Sequence, residues 1–280
     1  DGAFKESGAL LGVAYDAYGA TRGAMGIDAA RFRNDDKIGI AIGNFANEMT
    51  ALYVLQNTPA PGKLPLFTDE AISDGIGPAS RLLLKFGVFF FDYDLDGRLD
   101  VLSANGHLDE DVVKLQKSQT YKQPAQLFWN RPAASGPTYA AVPVEKSGSD
   151  LFKPILGRGS AFADIDGDGD LDVILTQTGG PPLLLRNDQA LGHHWARFKL
   201  VGTKANRDAI GAWITVRAGG QTQSRQVMPT RSYLSQSELP VTFGLDKASQ
   251  IDEVTVTWPG GQTQKVESAK LDAMNMVEQR

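Results

Sequence analysis

The chain has 280 residues, 42% of them hydrophobic, with 30 glycines, 14 prolines and a formal net charge of -5. That length can bury a sizeable core, and no run of about 18 apolar residues exists to span a membrane. No Lys/Arg cluster offers a phosphate-binding surface, which argues against nucleic acid, and the absence of cysteine excludes disulfides, thiolate catalysis and Cys-based zinc sites.

The chain starts at Asp1 without a basic stretch leading into an apolar one, so a processed or truncated start is expected. From there, three segments align without gaps: MGIDAARFRNDDKIGIAI from Met25, FGVFFFDYDLDGRLDVLS from Phe86 and RGSAFADIDGDGDLDVIL from Arg158. Each places a glycine (Gly26, Gly87, Gly159) five residues before a polar nine-residue loop, and a strand-like run follows. The alternation of Ile38, Ile40 and Ile42, of Leu99 and Val101, and of Leu171, Val173 and Leu175 has the period of a half-buried strand. Each unit then reaches an apolar run ending in Asn57, Asn130 or Asn187. Repeats too small to bury their own faces predict propeller blades stacked around an axis. Residues 1–187 hold three such blades, fewer than the 4–8 typical of a closed ring. A protein partner or an upstream segment is therefore expected to complete the propeller.

The loops carry the chemistry. Nine of the 33 acidic residues lie within 92–100 and 164–172. In DYDLDGRLD, Asp92, Asp94 and Asp96 recur at every second position, Gly97 permits a sharp turn and Asp100 returns a fourth carboxylate. DIDGDGDLD repeats this with Asp164, Asp166, Asp168, Gly169 and Asp172. The seventh residue of each loop, Arg98 or Asp170, is expected to give its backbone carbonyl. Carboxylates held so closely repel unless a cation lies among them, and oxygen ligands alone select a hard ion, so two Ca²⁺ sites are expected. Solvated turns without metal are the plainer alternative. Weak sites of the extracellular kind suit a protein outside the cell, whether secreted, on the cell surface or periplasmic. The first loop, residues 31–39, reads RFRNDDKIG. With Arg31 and Arg33 in place of aspartates and Gly39 in place of the closing one, it is predicted to be empty, with Asp35 or Asp36 pairing the arginines.

Between Asp100 and Asn130 lie 29 residues, against 14 between Asp172 and Asn187. This insertion, with one helical turn expected over 109–117, holds the binding-surface candidates Asn105, His107, Asp109 and Tyr121. Beyond residue 187, β-forming runs at 195–201, 212–217 and 254–258 are separated by Gly-Gly turns, which predicts a compact β-sandwich or barrel over 188–280. Asn206 begins a structural turn, and Trp258 packs at a strand end.

The repeats resemble FG-GAP/VCBS blades of the integrin-like propeller kind. HHWARFKLVGTKANRDAIGAWITV from His193, SYLSQSE from Ser232, FGL from Phe243 and VTVTWPGGQTQ from Val254 resemble the UnbV/ASPIC domain of cartilage-acidic-protein-like and bacterial secreted proteins. The resemblance implies an all-β chain: calcium-loop blades of a larger ring over 1–187, then a small β domain over 188–280, with adhesion or protein interaction as its role and no catalytic residues. A lectin-like carbohydrate-binding propeller is the first alternative and a catalytic propeller the second. The three histidines, and the lack of HExxH, GxSxG and Walker patterns, give enzyme chemistry little footing.

Overall fold

The computed structural model describes residues 2–57, 63–132 and 136–280. Its described residues form five sheets of three or four strands and one two-stranded ribbon. The first sheet is a four-strand meander of β1 (Ala24–Ala30), β2 (Gly39–Asn44), β3 (Ala51–Leu55) and β4 (Phe67–Asp69). The second repeats it with β5 (Lys85–Phe91), β6 (Asp100–Asn105), β7 (Gln126–Asn130) and β8 (Tyr139–Ala141). The third has only β9 (Gly157–Ala163), β10 (Asp172–Gln177) and β11 (Leu183–Leu185).

These sheets are propeller blades. The leading strand of each packs on that of the next, β1 on β5 and β5 on β9. The repeat glycines allow that approach: a Cβ on Gly26 would lie 2.2 Å from the carbonyl oxygen of Phe86, and one on Gly87 would lie 2.3 Å from Ser160 Oγ. Between the first two blades the core is Phe32, Leu52, Val54, Val88, Phe90 and Phe128. Between the second and third it is Phe89, Phe91, Leu102, Leu127, Val173 and Leu175, closed by Leu151 and Ile155 from the connecting segment.

The isoleucine alternation in β2 has a different outcome from the one its period suggests. Ala41 is the residue buried against the second blade, while Ile40 and Ile42 are only half-buried on the first blade's free face beside exposed Ile27. The third blade likewise leaves Ile174 and Leu184 exposed on its outer side, where the two residues pair across β10 and β11. Both end blades thus carry apolar side chains on both faces, as a strand between two neighbours does.

After a linker, the C-terminal region is a two-sheet sandwich. Its strands are β12 (His194–Val201), β13 (Trp213–Ala218), β14 (Gln221–Gln226), β15 (Thr230–Arg231), β16 (Ser235–Gln236), β17 (Val241–Asp246), β18 (Ile251–Thr257), β19 (Thr263–Lys265) and β20 (Met274–Glu278). One sheet is ordered β17-β12-β20 and the other β14-β13-β18-β19. Phe198, Ile214, Val216, Phe243, Val256 and Trp258 fill the space between them. Trp258 is buried and donates through Nε1 to Gln264 Oε1 (3.1 Å), and Asn206 Oδ1 accepts from the backbone of Ile210 (2.8 Å), as a packed strand end and a structural turn require.

The ribbon β15–β16 leaves the sandwich and runs along the free edges of the leading blade strands. Ser232 N donates to the carbonyl of Ile27 (3.0 Å), and Ser232 Oγ accepts from Val88 N (3.1 Å). Ser235 Oγ accepts from Ser160 N (3.1 Å) and Ser237 Oγ from Phe162 N (3.2 Å). Serine suits this place, because a short hydroxyl satisfies an edge N–H that would otherwise lack a partner away from water. Tyr233 packs edge-on against Phe86, whereas Leu234 at the tip is 90% exposed.

Candidate metal centre

In the loop between β5 and β6, the main chain curls so that one carboxylate oxygen each from Asp92, Asp94 and Asp96 lie within 4.8 Å of one another. Gly97, at φ 88°, makes the turn that brings this about. All three side chains are buried, and Asp92 Oδ1 has no hydrogen-bond partner among the described residues. Burial and mutual repulsion push Asp94 up to about 6 and Asp96 up to about 7, and burial raises Asp92 as well. A buried group of carboxylates with an unpartnered oxygen fits a hard divalent cation, which would supply the missing positive charge.

The loop between β9 and β10 has the same backbone plan and a different setting. Asp164, Asp166 and Asp172 bring oxygens within 4.8 Å of one another. Asp166 and Asp168 are exposed, while Asp170 is buried with Oδ1 unpartnered and is pushed up to about 8 by burial and by Asp168.

The closing aspartates hold backbone. Asp100 Oδ2 accepts from Tyr93 N (3.0 Å) and Oδ1 from Asn130 N (2.7 Å). Asp172 does the same with Ile165 N (2.9 Å) and Asn187 N (2.8 Å). The asparagines in turn tie each blade to the one before: Asn130 Nδ2 donates to the carbonyl of Phe32 (2.9 Å) and Asn187 Nδ2 to that of Tyr93 (2.7 Å). Arg98 turns its guanidinium onto Asp96 and onto the carbonyl of Asn130 (2.9 Å).

The loop at 31–39 is built without carboxylates facing one another. Phe32 fills its middle and stacks on Phe90 and Tyr139. Arg33 does not pair with Asp35 or Asp36; it reaches Glu70 and Asp74, both at 2.6 Å. Arg31 does meet Asp36 (3.6 Å), and its guanidinium lies over Trp213. The partners of Arg33 are 37 and 41 residues away in sequence, beyond what a local pattern reveals.

The insertion after β6 is less of a surface than its composition suggests. Asn105 is buried and donates to the carbonyl of Pro124 (2.8 Å). His107 is also buried, accepting from Asp109 N at Nδ1 (3.0 Å) and packing edge-on against Phe45. Asn105 thereby ties the point where the excursion leaves the blade to the point where it returns, and His107 fixes its first turn. Tyr121 is half-buried, and Asp109 is exposed ahead of a short helix, Val112–Leu115. His193 and His194 point apart: His193 Nδ1 donates to the carbonyl of Asp94 (2.6 Å), whereas His194 Nδ1 meets Asp272 (2.7 Å).

Sequence reasoning missed the contribution of the C-terminal sandwich. Arg225 Nη2 lies 3.2 Å from Asp92 Oδ2, Arg197 Nη1 2.6 Å from Asp164 Oδ2, and Arg231 Nη1 3.1 Å from the buried Asp28 Oδ2. Asp92 and Asp164 are the first positions of their loops, so one arginine from the sandwich touches each carboxylate group. The distance in sequence, 133 residues for Arg225 and Asp92, hides this from any motif.

Blades whose loops gather carboxylates, stapled to a β-sandwich that sends a ribbon along their inner edges, define a β-propeller protein with a dedicated C-terminal domain. Residues 202–280, most of that sandwich, match the family described as ASPIC and UnbV. Over 268 residues the chain is 30% identical to Cartilage acidic protein 1 of Xenopus tropicalis, an alignment covering 93% of this chain and 37% of that protein. The chain therefore spans little more than a third of the relative's length.

Proposed function

We propose that this chain is a non-enzymatic interaction module of an extracellular or cell-surface protein, in which two calcium ions stiffen the blade loops and further blades complete the ring. The observation that carries the calcium part is the buried trio Asp92, Asp94 and Asp96 with Asp92 Oδ1 unpartnered. Arg225 and Arg98 offset part of its charge, and the remainder stays buried without compensation unless a cation lies among the three carboxylates. Asp92, Asp94 and Asp96 would hold one ion and Asp164, Asp166 and Asp172 the other, with the backbone of Arg98 and Asp170 as further donors. Extracellular calcium is abundant enough to load such loops, which supports a place outside the cell, as does the similarity to a protein named for cartilage.

Support for a completing partner comes from the free faces. Ile27, Ile40 and Ile42 on one end blade and Ile174 and Leu184 on the other are apolar side chains turned toward the places of adjacent blades. A further segment of the same protein is the favoured occupant, since the aligned relative is longer than this chain. Equilibrium dialysis against calcium tests the proposal. Two ions per chain are expected, and neither ion bound at millimolar calcium would overturn it.

A further inference from the structure

We propose that the C-terminal domain is a lid on the first carboxylate loop and leaves the second open, so that one calcium ion is released only when the domains part while the other exchanges freely. The inference rests on the calcium reading above and concerns how this chain's own residues enclose the two loops.

The arginine clamp is common to both loops and does not distinguish them. Arg225 holds the first position of one, Arg197 that of the other. The difference lies at the far end. In the first loop, Asp246 N donates to the carbonyl of Leu95 (3.0 Å) and His193 Nδ1 to that of Asp94 (2.6 Å). Gln223 and Gly244 close on Gly97 without a gap. A Cβ on Gly97 would lie 2.6 Å from Gln223 Nε2, and one on Gly244 would lie 2.3 Å from Asp92 Oδ2. Gln223 is itself fixed by donating to the carbonyl of Gly244 (2.7 Å). Linker, β14 and β17 thus all lie over the loop, and its aspartates are at most 6% exposed.

In the second loop the sandwich covers Asp164 and the turn at Gly169 and leaves the stretch between them open. Trp195 lies against Gly169, where a Cβ would be 2.0 Å from its ring, and Arg197 with Glu238 surrounds Asp164. The middle, Asp166 to Asp168, is exposed. A calcium ion leaves by exchanging carboxylate oxygens for water, so water must reach the ligands first. At the second loop it already does. At the first, the contacts of His193, Gln223 and Asp246 must break, which makes release a conformational event with its own barrier.

The test is rapid mixing of the calcium-loaded full chain with a fluorescent chelator, after equilibrium dialysis has given the number of ions bound. Two phases of one ion each are expected, at least tenfold apart in rate. Asp166→Ala should delete the fast phase, and His193→Ala should accelerate the slow one. Gln223→Ala, which removes an uncharged contact, gives the same readout should His193→Ala fold poorly. A chain that binds no calcium overturns the reading and the lid together. A chain that binds two ions and loses both in one phase, or that loses its slow phase in Asp166→Ala, overturns the lid alone.

Discussion

The ring of Phe32 lies where a side chain on Gly39 would have to go: a Cβ there would be 2.3 Å from Phe32 Cε1. In the other two repeats that position is the closing aspartate, so the first blade has exchanged a carboxylate for an aromatic ring that stacks on Phe90 and Tyr139. Overpacking at such a contact costs about 1–3 kcal/mol. Gly39→Ala is therefore expected to lower unfolding free energy by about that amount in denaturant titrations, with calcium stoichiometry unchanged.

Calcium removal is expected to lower the melting temperature. A ligand that binds only the folded chain stabilises it by about 2.7 kcal/mol when present at 100 times its dissociation constant. Asp94→Ala should abolish the part due to the first loop, and Asp166→Ala the part due to the second. Arg33→Met should leave calcium binding intact while destabilising the first blade, because Glu70 and Asp74 lose a shared partner. Calorimetric scans with and without chelator separate these outcomes.

Asp100 distinguishes a scaffold role from a ligand role. Its carboxylate accepts from two backbone N–H groups, those of Tyr93 and Asn130. A buried donor left without a partner costs about 1–3 kcal/mol. Asp100→Ala is expected to destabilise the chain by at least that much even in chelator. A loss confined to calcium-loaded protein would show that the residue acts only through the ion.

Lys85 supplies a pH dependence. It is fully buried where β5 begins, and its ammonium donates to the carbonyls of Glu48, Ser80 and Leu83 (2.5–2.9 Å). Burial pulls it down to about 7, with Glu48 opposing that shift and Arg22 adding to it. The folded state thus gives up this proton more readily than the unfolded chain. Its contribution to stability rises with pH from about 7 toward the ordinary lysine value and is lost as pH falls through 7. Lys85→Met should flatten that part of the stability profile, as read from urea midpoints between pH 6 and pH 10.

The sequence made the blades legible because each repeats the same grammar of glycine, apolar strand, nine-residue loop and terminal asparagine. The exchange of aspartates for Arg31, Arg33 and Gly39 in the first loop is legible there too. The contacts that give the loops different surroundings were not legible, because they join residues far apart: Arg225 to Asp92, Arg33 to Glu70, Ser232 to Val88. Composition also misled at 105–107. Asn105 and His107 look like recognition residues in a long loop, yet both are buried, with Asn105 Nδ2 and His107 Nδ1 bonded to the backbone of the excursion that carries them. The isoleucines of β2 show the converse, since a period of two marks one apolar face and says nothing of the small Ala41 buried on the other.

The serine ribbon imposes an order on biosynthesis. Val88 waits 144 residues for the hydroxyl that satisfies it, and Asp28 waits 203 for Arg231. While the ribosome is still making the sandwich, the nascent blades carry bare inner edges that invite pairing with other chains. Those inner edges are therefore covered only once residues 230–237 have been made, and a chain cut short before residue 230 would emerge with them bare.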